Sequence, residues 1–204
     1  MILALILAVE TPPMTAVDAE RAFVADAQKL GQWTAFRKYA ADDAVMFTPQ
    51  AGKAHDFLKE LKDPPTAVFW WPGRSYVSCD GNTAINTGPW VRQWGKSVGY
   101  FTTVWQKQAD GSWKWVLDHG DVLPAMRAEG GDIKAEKAAC PEVAPPPTGI
   151  DEVAAGAKHQ KGSSKDESLR WEWEVLPDGS RTFWASIWDG KRHKVVIEDK
   201  VAAE

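Results

Sequence analysis

Residues 99–121, GYFTTVWQKQADGSWKWVLDHGD, decide the fold class. Two runs rich in aromatic and β-branched residues, 99–108 and 113–119, flank Asp110-Gly111. A turn dipeptide between two such runs specifies an antiparallel hairpin, because glycine accepts the positive φ that the turn requires. Upstream, 67–71, 74–79 and 82–91 repeat the pattern, divided by Pro72-Gly73 and Asp80-Gly81, and Gly95-Lys96 returns the chain into 99–108. Five strands in an antiparallel meander are therefore predicted.

The chain ahead of the meander reads as helical. Over 15–29, Val17, Phe23, Val24 and Ala27 recur among Asp18, Glu20, Arg21 and Asp26, and Gly31 stops the pattern. A second short helix is expected over 33–39. Asp42-Asp43 then leads into a short strand that ends at Pro49, and a third helix over 53–61 is stopped by Pro64-Pro65. Helices in front and strands behind predict an α+β architecture, with three helices over one face of a curved antiparallel sheet.

Bulk properties narrow the partners. The 204 residues carry a net charge of -4 and are 44% hydrophobic, which fits one main core and gives no attraction to nucleic acid or an anionic membrane surface. The opening run MILALILAV is too short to span a bilayer and lacks a basic leader. Residues 1–14 are accordingly either a signal segment, with a periplasmic or secreted product, or untranslated, with a start at Met14 and a cytoplasmic one. The domain proper runs from 15 to 124. Residues 125–167, rich in Ala, Pro, Gly, Lys and Glu with Pro145-Pro146-Pro147, read as a linker. A terminal meander of three strands, 168–204, is too small to fold alone and is expected to pack on the main domain or a partner subunit. Cys79 and Cys140 would pair in an oxidising compartment and remain thiols in a reducing one.

Candidate chemistry concentrates at the end of the opening stretch. Strand alternation places Trp113, Trp115, Leu117 and His119 on one face, and Lys114, Val116 and Asp118 on the other. His119 is a candidate general base near neutral pH, with Asp121 to orient it. Asp118, if it faces inward against tryptophan, would have a raised pKa and suit proton abstraction. The competing reading is a hydrogen-bonded histidine at a strand end. Twelve tryptophans are far above ordinary usage. Trp71, Trp90, Tyr100, Trp105 and Trp115 are candidate walls for an apolar or aromatic ligand, although such residues also fill cores and dimer interfaces. Asp42 and Asp43 read as turn acids. The histidines at 55, 119, 159 and 193 have no metal-ligand spacing, and no cofactor fingerprint occurs, so neither metal nor cofactor is expected.

Ala19-Glu20-Arg21-Ala22-Phe23, Tyr39-Ala40-Ala41-Asp42-Asp43-Ala44-Val45 before Phe-Thr-Pro, Gly52-Lys53-Ala54, Thr87-Gly88-Pro89-Trp90 and the 99–114 hairpin occur in an order that resembles the nuclear-transport-factor-2-like superfamily, in its SnoaL-like and uncharacterised bacterial branch. The resemblance covers roughly 15–123. It implies a cone of helices and bent sheet around an apolar pocket, and often a homodimer. It implies either a small-molecule-binding protein, including cofactor-independent lyases and isomerases, or a non-catalytic exported binding or dimerisation module. No residue matches the oxyanion donor of the isomerases position by position; Tyr39, Tyr76 and Tyr100 are the available phenols.

Overall fold

The computed structural model describes residues 15–127, 131–143 and 153–203. The expected signal segment and the Pro145–Pro147 run lie outside them.

Helix α1 (Ala16–Leu30) starts at a capping box: the Thr15 hydroxyl accepts from the Asp18 amide, and the Asp18 carboxylate accepts from Thr15. It buries Ala16, Ala19, Glu20, Phe23, Val24 and Ala27. Helix α2 (Gln32–Tyr39) follows after Gly31, whose φ of 113° permits the sharp change of direction. Strand β1 (Ala40–Phe47) folds back on β2 (Ala51–Lys53), and α3 (Ala54–Leu58) begins directly after it. The third helix is thus shorter than expected: strand pairing claims Lys53 at its start, and it ends at Leu58, three residues early.

The meander comprises β3 (Phe69–Trp70), β4 (Arg74–Val77), β5 (Thr83–Arg92), β6 (Ser97–Lys107) and β7 (Trp113–Leu123). With β1, β2 and β8 (Lys134–Lys137) they form an eight-stranded sheet in the order β2-β1-β7-β6-β5-β4-β8, with β3 paired to β5. Strand β1 runs parallel to β7 and β8 parallel to β4; the other neighbours are antiparallel. A second sheet, in the order β12-β11-β10-β9, contains β9 (Lys158–Ser163), β10 (Leu169–Val175), β11 (Arg181–Trp188) and β12 (His193–Val201).

The stretch 125–167 therefore holds two strands, β8 and β9. Their sequences, Lys-Ala-Glu-Lys and Lys-His-Gln-Lys-Gly-Ser, carry no apolar alternation, since they are largely exposed edge strands held by backbone pairing to β4 and β10. A disulfide joins Cys79, just after β4, to Cys140, just after β8, across 61 residues. Beside it the Ser168 hydroxyl accepts from the Cys79 amide, and the Asp166 carboxylate accepts from the Asp80 amide.

Each face of the main sheet has its own core. On the inner face Trp70, Trp90, Phe101, Trp105, Trp113 and Trp115 pack beneath Phe23, Ala35, Tyr39 and Leu58 of the helices. On the outer face Tyr76, Ile85, Val104 and Leu117 pack against Leu169, Trp173, Val175, Phe183, Ala185, Ile187 and Ile197 of the second sheet. The terminal strands thus bury their apolar side on their own chain's main sheet.

Candidate functional site

Strand β7 does not keep the period of two that its sequence suggests. Its register with β6 pairs Trp105 with Trp115 but Val104 with Leu117, so Val116 is an extra residue, a β-bulge. A one-residue bulge exchanges the faces of everything beyond it. Trp113 and Trp115 lie in the inner core, whereas Leu117 lies in the outer one. Asp118 consequently joins the tryptophans on the inner face, and His119 goes to the outer face. This corrects the alternation expected from 113–119.

Beyond Leu117, β1 no longer pairs with β7. The unpaired edge from Asp118 to Val122 borders a cavity of about 500 Å3. Trp33, Phe36, Val68, Trp70, Trp90 and Phe101 supply its apolar wall, Met46 to Pro49 one rim, and Arg181, Val201 and Ala202 of the second sheet another. Residues from both faces of β7 and β6 border it, including Asp118, His119 and Tyr100. The guanidinium of Arg181 donates to the Gly120 carbonyl at 2.7 Å, which caps one backbone group of that edge.

Asp118 lies on the inner face of β7 and lines the cavity. It accepts from the Thr103 hydroxyl at 2.7 Å and keeps part of its surface open to the cavity it lines. Burial disfavours the charged form and pushes its pKa up to about 7; the Thr103 hydrogen bond opposes this only in part. Beneath it, Glu20 is fully buried and accepts from the indole N–H groups of Trp70 and Trp105, both at 2.7 Å, and from the Asn86 amide at 3.2 Å. Burial raises the Glu20 pKa to about 7 despite those three donors, with repulsion from Asp118 adding to the rise. Glu20 occupies the indole N–H of Trp70, so the part of Trp70 left for the cavity is hydrocarbon.

On the outer face, His119 Nε2 lies 3.3 Å from Asp199 Oδ2 of β12, close enough for charge attraction but outside hydrogen-bond geometry. Asp199 also accepts from the Thr102 hydroxyl at 2.7 Å and pairs with Arg127 at 3.0 Å. Burial pushes the His119 pKa below its ordinary value against the pull of Asp199, so the ring is neutral at pH 7. The Asp199 carboxyl is held below the usual range, since His119, Thr102 and Arg127 together outweigh its burial.

The expected site residues separate into two groups. Asp118, His119, Trp90 and Tyr100 come together around the cavity. Trp71, Trp105 and Trp115 do not line it: Trp105 and Trp115 are wholly buried in the inner core, and Trp71 stacks near Phe69 at 5.9 Å. Asp121 borders the cavity, but its carboxylate accepts from the neighbouring Val122 amide, and the carboxylate facing His119 is that of Asp199. Trp33, Phe36, Phe101 and Arg181 were not among the residues that the sequence offered for the site. Nor was Glu20, although Ala16, Glu20, Phe23, Val24 and Ala27 share one helical stripe, and a carboxylate on such a stripe is a signal that could have found it. Among the described residues no cluster of three or more His, Cys, Asp or Glu could hold a metal ion, and no helix is long and apolar enough to cross a membrane.

Helices thus close one face of a sheet around an apolar cavity that holds a raised-pKa carboxyl. No family model and no curated protein matches the chain. Among solved structures it is similar to a Shewanella frigidimarina NCIMB 400 protein provisionally described as a ketosteroid isomerase, at 20% identity and a TM-score of 0.37, over 52% of this chain and 95% of that one. It is also similar to a nuclear-transport-factor-2-like superfamily protein of Salmonella enterica serovar Typhimurium LT2, at 14% identity and a TM-score of 0.39, over 57% of this chain and 94% of that one.

Proposed function

We propose that this protein binds an apolar, flat small molecule in the tryptophan-walled cavity and that Asp118 exchanges a proton with it, as a cofactor-independent isomerase or lyase would. The supporting observation is Asp118 itself: a carboxyl with a pKa of about 7, open to a cavity otherwise walled by aromatic side chains. At neutral pH such a group is populated in both protonation states, the condition under which one side chain can both take and return a proton. Flat aromatic walls recognise a ring by stacking and dispersion, which needs no charge on the ligand. The proposal includes export, because the Cys79–Cys140 disulfide would persist in an oxidising compartment. It also includes a homodimer, formed through a surface other than the outer sheet face, which the second sheet covers.

Equilibrium dialysis with naphthalene, followed by a screen for exchange of acidic C–H protons of cyclic ketones into deuterated water, tests the reading. One-to-one binding is expected in wild type and in Asp118→Asn, with exchange catalysis only in wild type. Absence of apolar ligand binding to folded protein would overturn it.

A further inference from the structure

One end of the main sheet carries apolar side chains that neither core uses. Register aligns Phe69, Val91, Val98 and Leu123 in a row across β3, β5, β6 and β7. Directly opposed residues share a face, yet none of the four is part of the core beneath the helices or of the core beneath the second sheet. Phe69 is 45% exposed, and Val122, next to Leu123, is 60% exposed. Beyond the row, the turn between β5 and β6 projects Trp94, which is 98% exposed. Gln93 and Trp94 both hold left-handed backbone, at φ 51° and 61°, ahead of Gly95 at 86°. Such conformations are costly for residues that carry a Cβ, and they concentrate at binding and switch segments. An indole left wholly in water adds nothing to the stability of the fold.

The charge at this end is basic. Arg92 and Lys96 flank Trp94, and between Asp63 and Asp110 the only acidic residue is Asp80, in the turn at the opposite end of β5. Asp121, beside Val122, is an acid near the patch, and its carboxylate accepts from the Val122 amide. The net charge of -4 repels an anionic surface at long range, but screening limits each charge to about 8–10 Å, so the local basic pair is what headgroups meet. An indole between basic side chains is the combination that settles where headgroups give way to acyl chains. A second copy of the chain fits less well, since a stable interface covers about 800 Å2 on each partner and needs a broad self-complementary face, not one ring on a projecting turn. The cavity points the same way: Arg92 and Val122 both border it and both are exposed, so it opens beside this tip.

We infer that this end of the sheet docks on an anionic lipid bilayer surface, with Trp94 entering the boundary of the acyl chains and Arg92 and Lys96 meeting lipid phosphates. Docked in this way, the cavity opens toward the bilayer, and an apolar ligand passes into it without crossing water. That delivery role rests on the proposed cavity function; the docking does not.

Cosedimentation of the full chain with vesicles of mixed phosphatidylcholine and phosphatidylglycerol tests the docking. Wild type should pellet with the vesicles. Trp94→Ser should bind roughly tenfold more weakly, the effect of keeping about a quarter of an indole's surface in water, while its circular dichroism matches wild type. Lys96→Gln should weaken binding to the mixed vesicles severalfold and leave binding to phosphatidylcholine alone unchanged. Wild type absent from the pellet, or Trp94→Ser binding as well as wild type, would overturn the docking. Loss of a dimer in Trp94→Ser by sedimentation equilibrium, with wild type free of vesicles, would overturn it in favour of a second copy. Vesicle binding by a protein that takes up no naphthalene would overturn the delivery role and the cavity reading, and leave the docking standing.

Discussion

Replacing Asp118 by asparagine should make the protein more stable at alkaline pH and leave it nearly unchanged in acid. The folded pKa is about 7, against 3.8 for an unperturbed aspartate. A folded pKa above the unfolded one means that, between about pH 4 and pH 7, the folded state keeps a proton that the unfolded chain has released. Stability therefore falls as pH rises through this window, and the full cost is in place above about pH 7. About three pH units separate the two states, at about 1.4 kcal/mol each, so the cost approaches about 4 kcal/mol. Asparagine cannot ionise and can still accept from the Thr103 hydroxyl, so Asp118→Asn escapes that cost. Urea unfolding of the oxidised protein at pH 4.5, 6 and 8 measures the difference. The variant should exceed wild type by only about 1 kcal/mol at pH 4.5 and by several kcal/mol at pH 8. Glu20 contributes a slope of the same sign, smaller in the variant because repulsion from Asp118 is gone, so the difference adds to that of Asp118. His119, with its lowered pKa, contributes the opposite slope below about pH 6.5 to both, so the difference reports Asp118 and its coupling to Glu20. Parallel curves for the two proteins from pH 4.5 to 8 would refute the placement of Asp118 in an apolar wall.

Three further outcomes follow from the geometry. Glu20→Gln leaves one acceptor oxygen where two oxygens now receive the Trp70, Trp105 and Asn86 donors, and calorimetry at about pH 4.5, where folded Glu20 keeps its proton, should show a loss of about 1–3 kcal/mol. Gly99→Ala would drive a methyl group into the Trp90 ring and the Asp121 carbonyl, so it should cost about 1–3 kcal/mol and weaken naphthalene binding by displacing a cavity wall. Reducing the Cys79–Cys140 bond opens a loop of 61 residues and should lower stability by about 4 kcal/mol on the chain-entropy account, read from urea unfolding with and without dithiothreitol.

Turn chemistry made most of the fold legible. Gly81, Gly111, Gly179 and Gly190 all adopt positive φ at the predicted hairpin turns, and the strands between them fall within a few residues of expectation. What stayed hidden has physical causes. Strands β8 and β9 are held by backbone pairing at exposed edges, so selection for apolar alternation is absent there. The Val116 bulge leaves no mark in composition, yet it decides that Asp118 and not His119 shares a face with Trp113 and Trp115. Site partners distant in sequence were equally invisible: Asp199 meets Thr102 across 97 residues, and Arg181 meets Gly120 across 61. Tryptophan count pointed to an aromatic interior, but which rings face the cavity and which fill the core depends on sheet register. Trp105 and Trp115, in the sheet centre beneath the helices, are core; Trp33, Trp70 and Trp90, near the open end, are wall.

The central claim is an ionisable carboxyl inside an apolar ligand cavity, and 13C NMR titration of the Asp118 carboxyl with and without naphthalene tests it most directly. The account predicts a midpoint near pH 7 in the free protein, moving upward when naphthalene displaces water from the cavity and leaves the carboxylate less solvated. A midpoint near 4 that naphthalene does not move would contradict it.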